Sequence, residues 1–461
     1  MIDFKLLEVK NLGAYKGLYN ILVNIFPYAN HKILIGNLKE RIGCQAKLII
    51  IEYPYKDFDF SSVYSYFYSK KHQKVSKDCI RLHFFSSKEI AEKSYIGNIV
   101  VRDSVIDSRG KAVFLPKYLY NRSQAYIVTT TIKSHIMGKE FKIDTIPWMS
   151  QDTDIAICAH VALWSINNYF ANKYPNYALK SIAEISQLTP MYIGRRTPSN
   201  GLNLLQISDI FAKLGFYPLV LKKENSNSDD FYRAVYSYIE SGIPMVGAMT
   251  KKEHAVAIVG HEKIEIEKLN NSKENIIYTS DYIKGFLISD DNEFPFTTIS
   301  REKGKYTFKD LDYVIIPLYE KMYINANIVY ERVKAIIDSG VLNIPSTQII
   351  LRVYLTSIRS LKREILKDNS IDQTLKTIIL KLHSPQFVWC ADISTKEEYL
   401  NKKMSAKIII DSTAGTYENE PWIFMHDNSK IFWKYNHEIY KIDRKVNSYK
   451  IYKNNLKEIK K

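Results

Sequence analysis

Two residues far apart in the sequence have the side chains of a thiol nucleophile and its base. Cys158 lies just inside the start of a hydrophobic run, ICAHVALWSINNYF (157–170), with the length and composition of a buried helix. Unpaired backbone N–H groups and the helix dipole at that end favour a thiolate. His254 opens a strong strand, HAVAIVGH (254–261), directly after the polar turn TKKE. The pair predicts nucleophilic catalysis by cysteine.

Two further side chains fit the same chemistry. Asp290 ends the apolar run GFLIS on the next predicted strand, where its carboxylate is placed to orient the imidazole. Gln151 lies seven residues before Cys158, and its side-chain amide is a candidate donor to an oxyanion that forms near the sulfur. These residues together predict acyl transfer through a cysteine.

The choice of the acid leaves alternatives open. Asp281 lies in a polar insertion between the histidine strand and the aspartate strand, and Asp291 and Asn292 follow Asp290 directly. Asp290 is favoured because it follows an apolar strand, whereas Asp281 lies in a polar segment.

The neighbouring histidines are worse placed to act as the base. His160 is two residues from Cys158, which on a helix is about 200° around the axis. His261 lies seven residues beyond His254 on one strand, so its side chain is expected on the opposite face. His254 is therefore the predicted base.

The order of these elements resembles a known family. A glutamine, a cysteine-bearing helix, two more helices, and strands that carry histidine and then aspartate resemble papain-like cysteine peptidases, and among them the bacteriocin-processing, double-glycine-cleaving type. The resemblance covers residues 146–300. It implies that Cys158 is the nucleophile, His254 the general base and Asp290 the orienting residue, and that Gln151 forms the oxyanion hole with the Cys158 backbone N–H.

The elements that must position these residues predict an α+β fold. In the middle segment we expect helices over 157–170, 178–188, 201–215 and 229–241, and strands over 217–222, 243–249, 254–261 and 285–292. In the flanks we expect helices over 59–71, 323–340 and 373–384, and strands over 47–55, 80–85, 95–104, 111–116, 125–132, 386–393, 406–413 and 422–426. Helices followed by a run of strands are typical of α+β domains.

Three parts are predicted along the chain. They are an N-terminal α+β domain of unknown role (1–145), a papain-like catalytic domain (146–317) and a C-terminal α+β domain or elaboration (318–461). The basic tail from Asn447 is expected to fray.

The cysteine content limits the class of protein. Four cysteines in 461 residues lie far apart with no CxxC pair, so neither a disulfide scaffold nor a zinc knuckle is expected. No glycine-rich phosphate loop is present, and we expect no metal or organic cofactor. A second set of residues, Cys390, Asp411 and His426, is interpreted as structural.

The apolar runs are too short to predict a signal peptide or a membrane span, since a span needs about 20 residues. A reduced, cytoplasmic protein is therefore expected.

The charge is unevenly distributed. The net charge is +16 overall, with +10 in residues 1–150, −3 in 151–320 and +9 in 321–461. The leading hypothesis is a cysteine hydrolase that cleaves a peptide or other amide bond, with a peptide or protein substrate. The alternative is a non-catalytic papain-like scaffold or nucleic-acid-associated protein whose basic flanks contact a polyanion.

Overall fold

The chain folds as an α+β protein, as its sequence pattern predicts. The computed structural model describes residues 3–72, 74–120, 124–152, 155, 157–191, 199, 201–224, 228–344, 348–436, 438–453 and 455–459. Each helix and strand expected from the sequence has a counterpart with ends shifted by a few residues, except that 125–132 is divided between two strands.

The helices are α1 (Ala14–Ile25), α2 (Lys32–Arg41), α3 (Phe58–Tyr66), α4 (Pro116–Leu119), α5 (Cys158–Lys173), α6 (Ile182–Gln187), α7 (Leu204–Lys213), α8 (Ser228–Glu240), α9 (Ile266–Asn270), α10 (Ala326–Asp338), α11 (Ile358–Lys367), α12 (Gln373–Lys381) and α13 (Lys396–Leu400). In the part of the chain that the structure describes, none of them has the length and apolarity needed to cross a bilayer.

The strands of the first half are β1 (Asp3–Glu8), β2 (Leu48–Tyr55), β3 (Cys79–Phe85), β4 (Tyr95–Val101), β5 (Arg109–Phe114), β6 (Ala125–Val128), β7 (Thr130–Ile136), β8 (Lys139–Thr145), β9 (Trp148–Met149), β10 (Tyr217–Lys222), β11 (Met245–Met249) and β12 (His254–Glu262). Those of the second half are β13 (Ile276–Tyr278), β14 (Gly285–Ser289), β15 (Thr297–Ser300), β16 (Tyr306–Thr307), β17 (Tyr313–Leu318), β18 (Ile349–Ser357), β19 (Phe387–Thr395), β20 (Lys403–Met404), β21 (Ala406–Asp411), β22 (Trp422–His426), β23 (Lys430–Tyr435), β24 (Glu438–Asp443), β25 (Tyr449–Lys450) and β26 (Leu456–Ile459).

Three large sheets organise the chain. The N-terminal sheet has the order β1-β2-β3-β4-β5-β9, and the C-terminal sheet the order β13-β18-β19-β21-β22-β23-β24. The central sheet has the order β10-β17-β11-β12-β14-β15-β16, with β6 beside the far end of β12 and β26 beside β6. One continuous hydrophobic cluster extends from the N-terminal sheet through the central sheet to the inner face of the C-terminal sheet.

Several strands pair outside the predicted part in which they lie. β6 is in the predicted N-terminal domain but pairs with β12 of the central sheet, and β13, from the insertion before Asp290, pairs in parallel with β18. The expectation that the basic tail frays is wrong for Leu456–Ile459, because these residues form β26 and pair with Ala125–Val128. The three predicted parts are therefore joined by shared sheets.

Helix α5 is the buried element on which the central sheet packs. Every residue from Ala159 to Phe170 is buried, and the helix lies against β11 and β12. A helix that is apolar on all sides is stable only in such an interior position. Its first residue, Cys158, is half-buried, so the thiol lies where the buried helix reaches the surface.

Candidate active site

Cys158 is the first residue of α5. The preceding residue, Ile157, has an extended conformation, and no described side chain caps this end of the helix. The described residues therefore provide no capping acceptor at the positive end of the helix dipole, and this end favours negative charge on the sulfur.

His254 is held by a tight turn and by both neighbouring strands. It is the first residue of β12 and pairs with Met249 of β11. The residue before it, Glu253, has a left-handed backbone (φ 49°), which closes the turn. The imidazole Nε2 lies 2.9 Å from Asp290 Oδ1, and the ring also interacts with the Cys158 thiol, which raises the pKa of the imidazole. Because Asp290 occupies Nε2, Nδ1 is the ring nitrogen left for the thiol.

The electrostatics favour a protonated imidazole. Burial lowers the pKa of His254, but the hydrogen bonds to Asp290 and Cys158 and the charge of Asp290 raise it to about 10. Burial raises the pKa of Asp290, but its hydrogen bond to His254 and the imidazolium charge hold that pKa below the usual value. The site therefore favours an imidazolium between a carboxylate and a thiol sulfur.

Asp290 is fixed by its position at the end of β14. Ser289 pairs with Ala257 of β12, so the end of β14 lies beside the start of the histidine strand. Asp290 Oδ1 also accepts a hydrogen bond from the Asn292 backbone N–H at 3.1 Å, and the Asp290 carbonyl accepts one from Trp148 Nε1 at 2.6 Å.

Gln151 is tied to the loop that carries Asp290. Its Nε2 donates to Asn292 Oδ1 at 3.0 Å, and its carbonyl accepts from Arg102 at 3.3 Å. The bond to Asn292 uses one of the two N–H groups of the Gln151 side-chain amide, and the other is left for an oxyanion. The role of Gln151 in an oxyanion hole stays a prediction.

The rival residues have other partners. Arg233 binds the Asp281 carboxylate through two nitrogens, at 2.7 Å from Nη2 to Oδ2 and 3.1 Å from Nε to Oδ1. His160 is buried against Thr189, and burial lowers its pKa to about 4. His261 is buried and bound to Glu240 at 2.7 Å. Asp290 is therefore the predicted acid that binds His254, and His254 is the predicted base that interacts with Cys158.

The second cysteine set has structural roles. Burial raises the pKa of Cys390 to about 12, which keeps the thiol protonated. His426 is bound to the Tyr449 hydroxyl, and Asp411 accepts hydrogen bonds from Thr413.

Two further residues lie beside the imidazole: Tyr306, which was not assigned a role from the sequence, and Asp291, which was an alternative for the acid. The Tyr306 ring stacks on the His254 ring with centroids 5.8 Å apart, and its hydroxyl interacts with the Asp290 carboxylate. Asp291 Oδ1 lies 3.8 Å from His254 Nε2. In the sequence, only its position next to Asp290 pointed to Asp291. Tyr306 lies on β16, a strand of two residues that is too short to show an alternating hydrophobic pattern.

The N-terminal region reaches the same loop. Buried Arg109 donates to the Asn292 carbonyl at 3.3 Å and lies 5.3 Å from the Trp148 ring. The Arg109 carbonyl accepts from Ser150, beside Gln151, at 2.5 Å. Residues before 150 therefore support both sides of the site.

Comparison of the chain with protein-family models, curated proteins and solved structures finds no match.

Proposed function

We propose that this protein is a cysteine hydrolase that cleaves a peptide or related amide bond through an acyl-thioester on Cys158. The observation that carries the proposal is the placement of Cys158 at a helix N-terminus, where its thiol interacts with His254, whose Nε2 is hydrogen-bonded to Asp290. The resemblance of the sequence to papain-like, bacteriocin-processing peptidases supports the same reading.

The proposed reaction has two halves. The Cys158 thiolate attacks the carbonyl carbon, and the His254 imidazolium donates its Nδ1 proton to the leaving amine. The neutral imidazole then takes a proton from water, whose oxygen attacks the thioester and releases the acid. Asp290 holds the ring orientation in both halves.

The oxyanion requires donors near the sulfur. The Cys158 backbone N–H lies at the helix start, and the Gln151 amide is the proposed second donor. A different nucleophile in place of water would give transpeptidation or isopeptide transfer from the same thioester.

Alkylation by iodoacetamide tests the thiol. Cys44 is exposed and is an internal reference, whereas Cys79 and Cys390 are buried. At neutral pH we expect Cys158 to react faster than Cys44 although Cys158 is less exposed, as followed by peptide mass spectrometry. His254→Ala should slow Cys158 and leave Cys44 unchanged.

Peptide cleavage tests the activity. Incubation with a proteome-derived peptide library should produce new N-termini that are absent with Cys158→Ala, and Asp290→Ala should reduce their yield by orders of magnitude, roughly 10⁴-fold at most. Labelling of Cys158 at the rate of Cys44, unchanged by His254→Ala, contradicts the proposal and favours the non-catalytic scaffold. The polyanion contact through the basic flanks stays a prediction.

A further inference from the structure

Asp291 is a buried carboxyl group without a matching donor. Its side chain is 1% exposed, and neither oxygen receives a hydrogen bond from a described residue. The His254 imidazolium, at 3.8 Å, is beyond hydrogen-bond distance. A buried carboxylate without a hydrogen-bond donor is therefore available to bind a metal cation.

The neighbouring atoms have the spacing of a cation site. His254 Nε2 lies 2.9 Å from Asp290 Oδ1 and 3.8 Å from Asp291 Oδ1, and one ligand atom from each residue lies within 4.8 Å of the others. Ligand atoms about 2.1 Å from a tetrahedral zinc ion are roughly 3.4 Å apart, between the first two distances. Small side-chain shifts would therefore admit the ion.

The donor set selects the metal. One imidazole nitrogen and two carboxylates suit Zn²⁺, whereas Mg²⁺ prefers oxygen ligands in a rigid octahedron. The Lys305 ammonium, 4.0 Å from Asp290 Oδ2, is half-exposed and paired with Glu293, so it is free to move away when a cation enters.

We propose that His254, Asp290 and Asp291 bind a zinc ion that reversibly inactivates the Cys158 thiol. The inhibition rests on the proposed hydrolase function, but the binding does not. Zn²⁺ binds the Nε2 lone pair, and the proton on Nε2 is released to solvent. A proton on Asp291, where one is bound, is released as well. Nδ1 of the neutral, metal-bound ring keeps its proton, so the imidazole has no lone pair left to accept the proton of the thiol.

Calorimetric titration of the full Cys158→Ser chain with zinc chloride tests the binding, since this variant excludes the candidate nucleophile as a ligand. We expect one site whose affinity falls about 100-fold or more in the Asp291→Asn double variant. The matched Asp281→Asn double variant, which removes a carboxylate from the Arg233 ion pair, should bind as the parent does. Magnesium chloride should give no comparable heat.

X-ray absorption of the zinc-loaded Cys158→Ser chain supplies a second measurement if Asp291→Asn does not fold. One imidazole with oxygen ligands and no sulfur is expected. Sulfur at the metal, or affinity unchanged by Asp291→Asn in a folded chain, overturns the proposed site.

Labelling of wild-type Cys158 tests the inhibition. Saturating zinc should slow iodoacetamide labelling about tenfold or more, and a chelator should restore it. Asp291→Asn should remove this sensitivity. Zinc binding without any slowing overturns the inhibitory role. A Cys158 that is unreactive without zinc contradicts the hydrolase and leaves the binding result standing.

Discussion

The two flanking regions meet the central sheet through different kinds of contact. The N-terminal region reaches the loop after β14, where Arg109 binds the Asn292 carbonyl and Trp148 binds that of Asp290. The C-terminal region is joined by buried charges, where Arg352 binds Glu240 of α8 at 2.6 Å and Asp392 at 3.2 Å. The first set of contacts positions the groups that orient His254, and the second surrounds His261, at the other end of the same strand.

These two kinds of contact should affect different properties of the protein, its stability and the geometry of the site. Removal of one member of a buried ion network is costly because its partners remain charged and desolvated. The hydrogen bonds that Arg109 and Trp148 donate to loop carbonyls have a neutral acceptor and contribute less free energy, but they fix a position on which proton transfer depends. We therefore expect the C-terminal contacts to govern unfolding and the N-terminal contacts to govern reactivity.

The largest expected effect is that of Arg352→Met. It leaves Glu240 and Asp392 without their shared cation, so the free energy of unfolding should fall by about 3–5 kcal/mol. Chemical denaturation measures this loss, and Lys441→Met on exposed β24 is the control, with a change of about 0.5 kcal/mol or less. In the folded Arg352→Met chain, Cys158 should still be labelled by iodoacetamide at the wild-type rate. Slower labelling would show that the C-terminal contacts also affect reactivity.

The two regions should also lose stability at opposite ends of the pH range. Burial raises the pKa of Glu240, but Arg352 and His261 lower it to about 2, so its contribution is present above 4.5 and is lost as pH falls toward 2. The pKa of His254 is raised from 6.5 to about 10, so its contribution is complete below 6.5 and is lost as pH rises through 10.

Unfolding measured at several pH values compares these contributions. The stability difference between wild type and Glu240→Gln should shrink in acid, and that between wild type and His254→Ala should shrink in alkali. Each difference is expected to be about 3 kcal/mol or less after screening by solvent. The same pH trend for both variants would show that the two regions are not electrostatically distinct.

Arg109→Met tests the N-terminal contact. It removes the donor to the Asn292 carbonyl, the cation beside Trp148 and the ion-pair partner of Asp107, so the loop should orient His254 less well and some stability should be lost as well. We expect the labelling rate of Cys158 to fall about tenfold, equal to about 1.4 kcal/mol in the activation barrier, with a steeper dependence on pH. Cys44 is the internal control. Arg109→Lys should restore only part of the rate, because lysine lacks the planar fork.

Local patterns in the sequence predicted the candidate residues Cys158, His254 and Asp290 but not their surroundings. Cys158, His254 and Asp290 each lie at the end of a strongly hydrophobic element, so their positions follow from strand and helix periodicity. Arg109 and Tyr306 meet their partners through contacts between distant segments. Arg109 and Asn292, for example, are 183 positions apart in the sequence. Periodicity carries no information about such pairs.

The α+β pattern was predicted for the same reason, and the sheet partners were not. β6, β13 and β26 are short strands that pair with segments far away in sequence. Only β6 was predicted as a strand, since β13 lies in the polar insertion and β26 in the tail that was expected to fray. Register and pairing are set by the tertiary core, which a local pattern does not show.

The smallest expected effect is that of Asp281→Ala, in the insertion between the His254 strand and the Asp290 strand. Asp281 is partly exposed and paired with Arg233, so its loss should cost about 1 kcal/mol in unfolding free energy or less. The labelling rate of Cys158 should stay within about twofold of wild type, because the carboxylate that binds His254 belongs to Asp290. A loss of reactivity like that of Asp290→Ala would make the insertion, which joins the C-terminal sheet through β13, part of the catalytic site. The C-terminal region would then influence reactivity as well as stability.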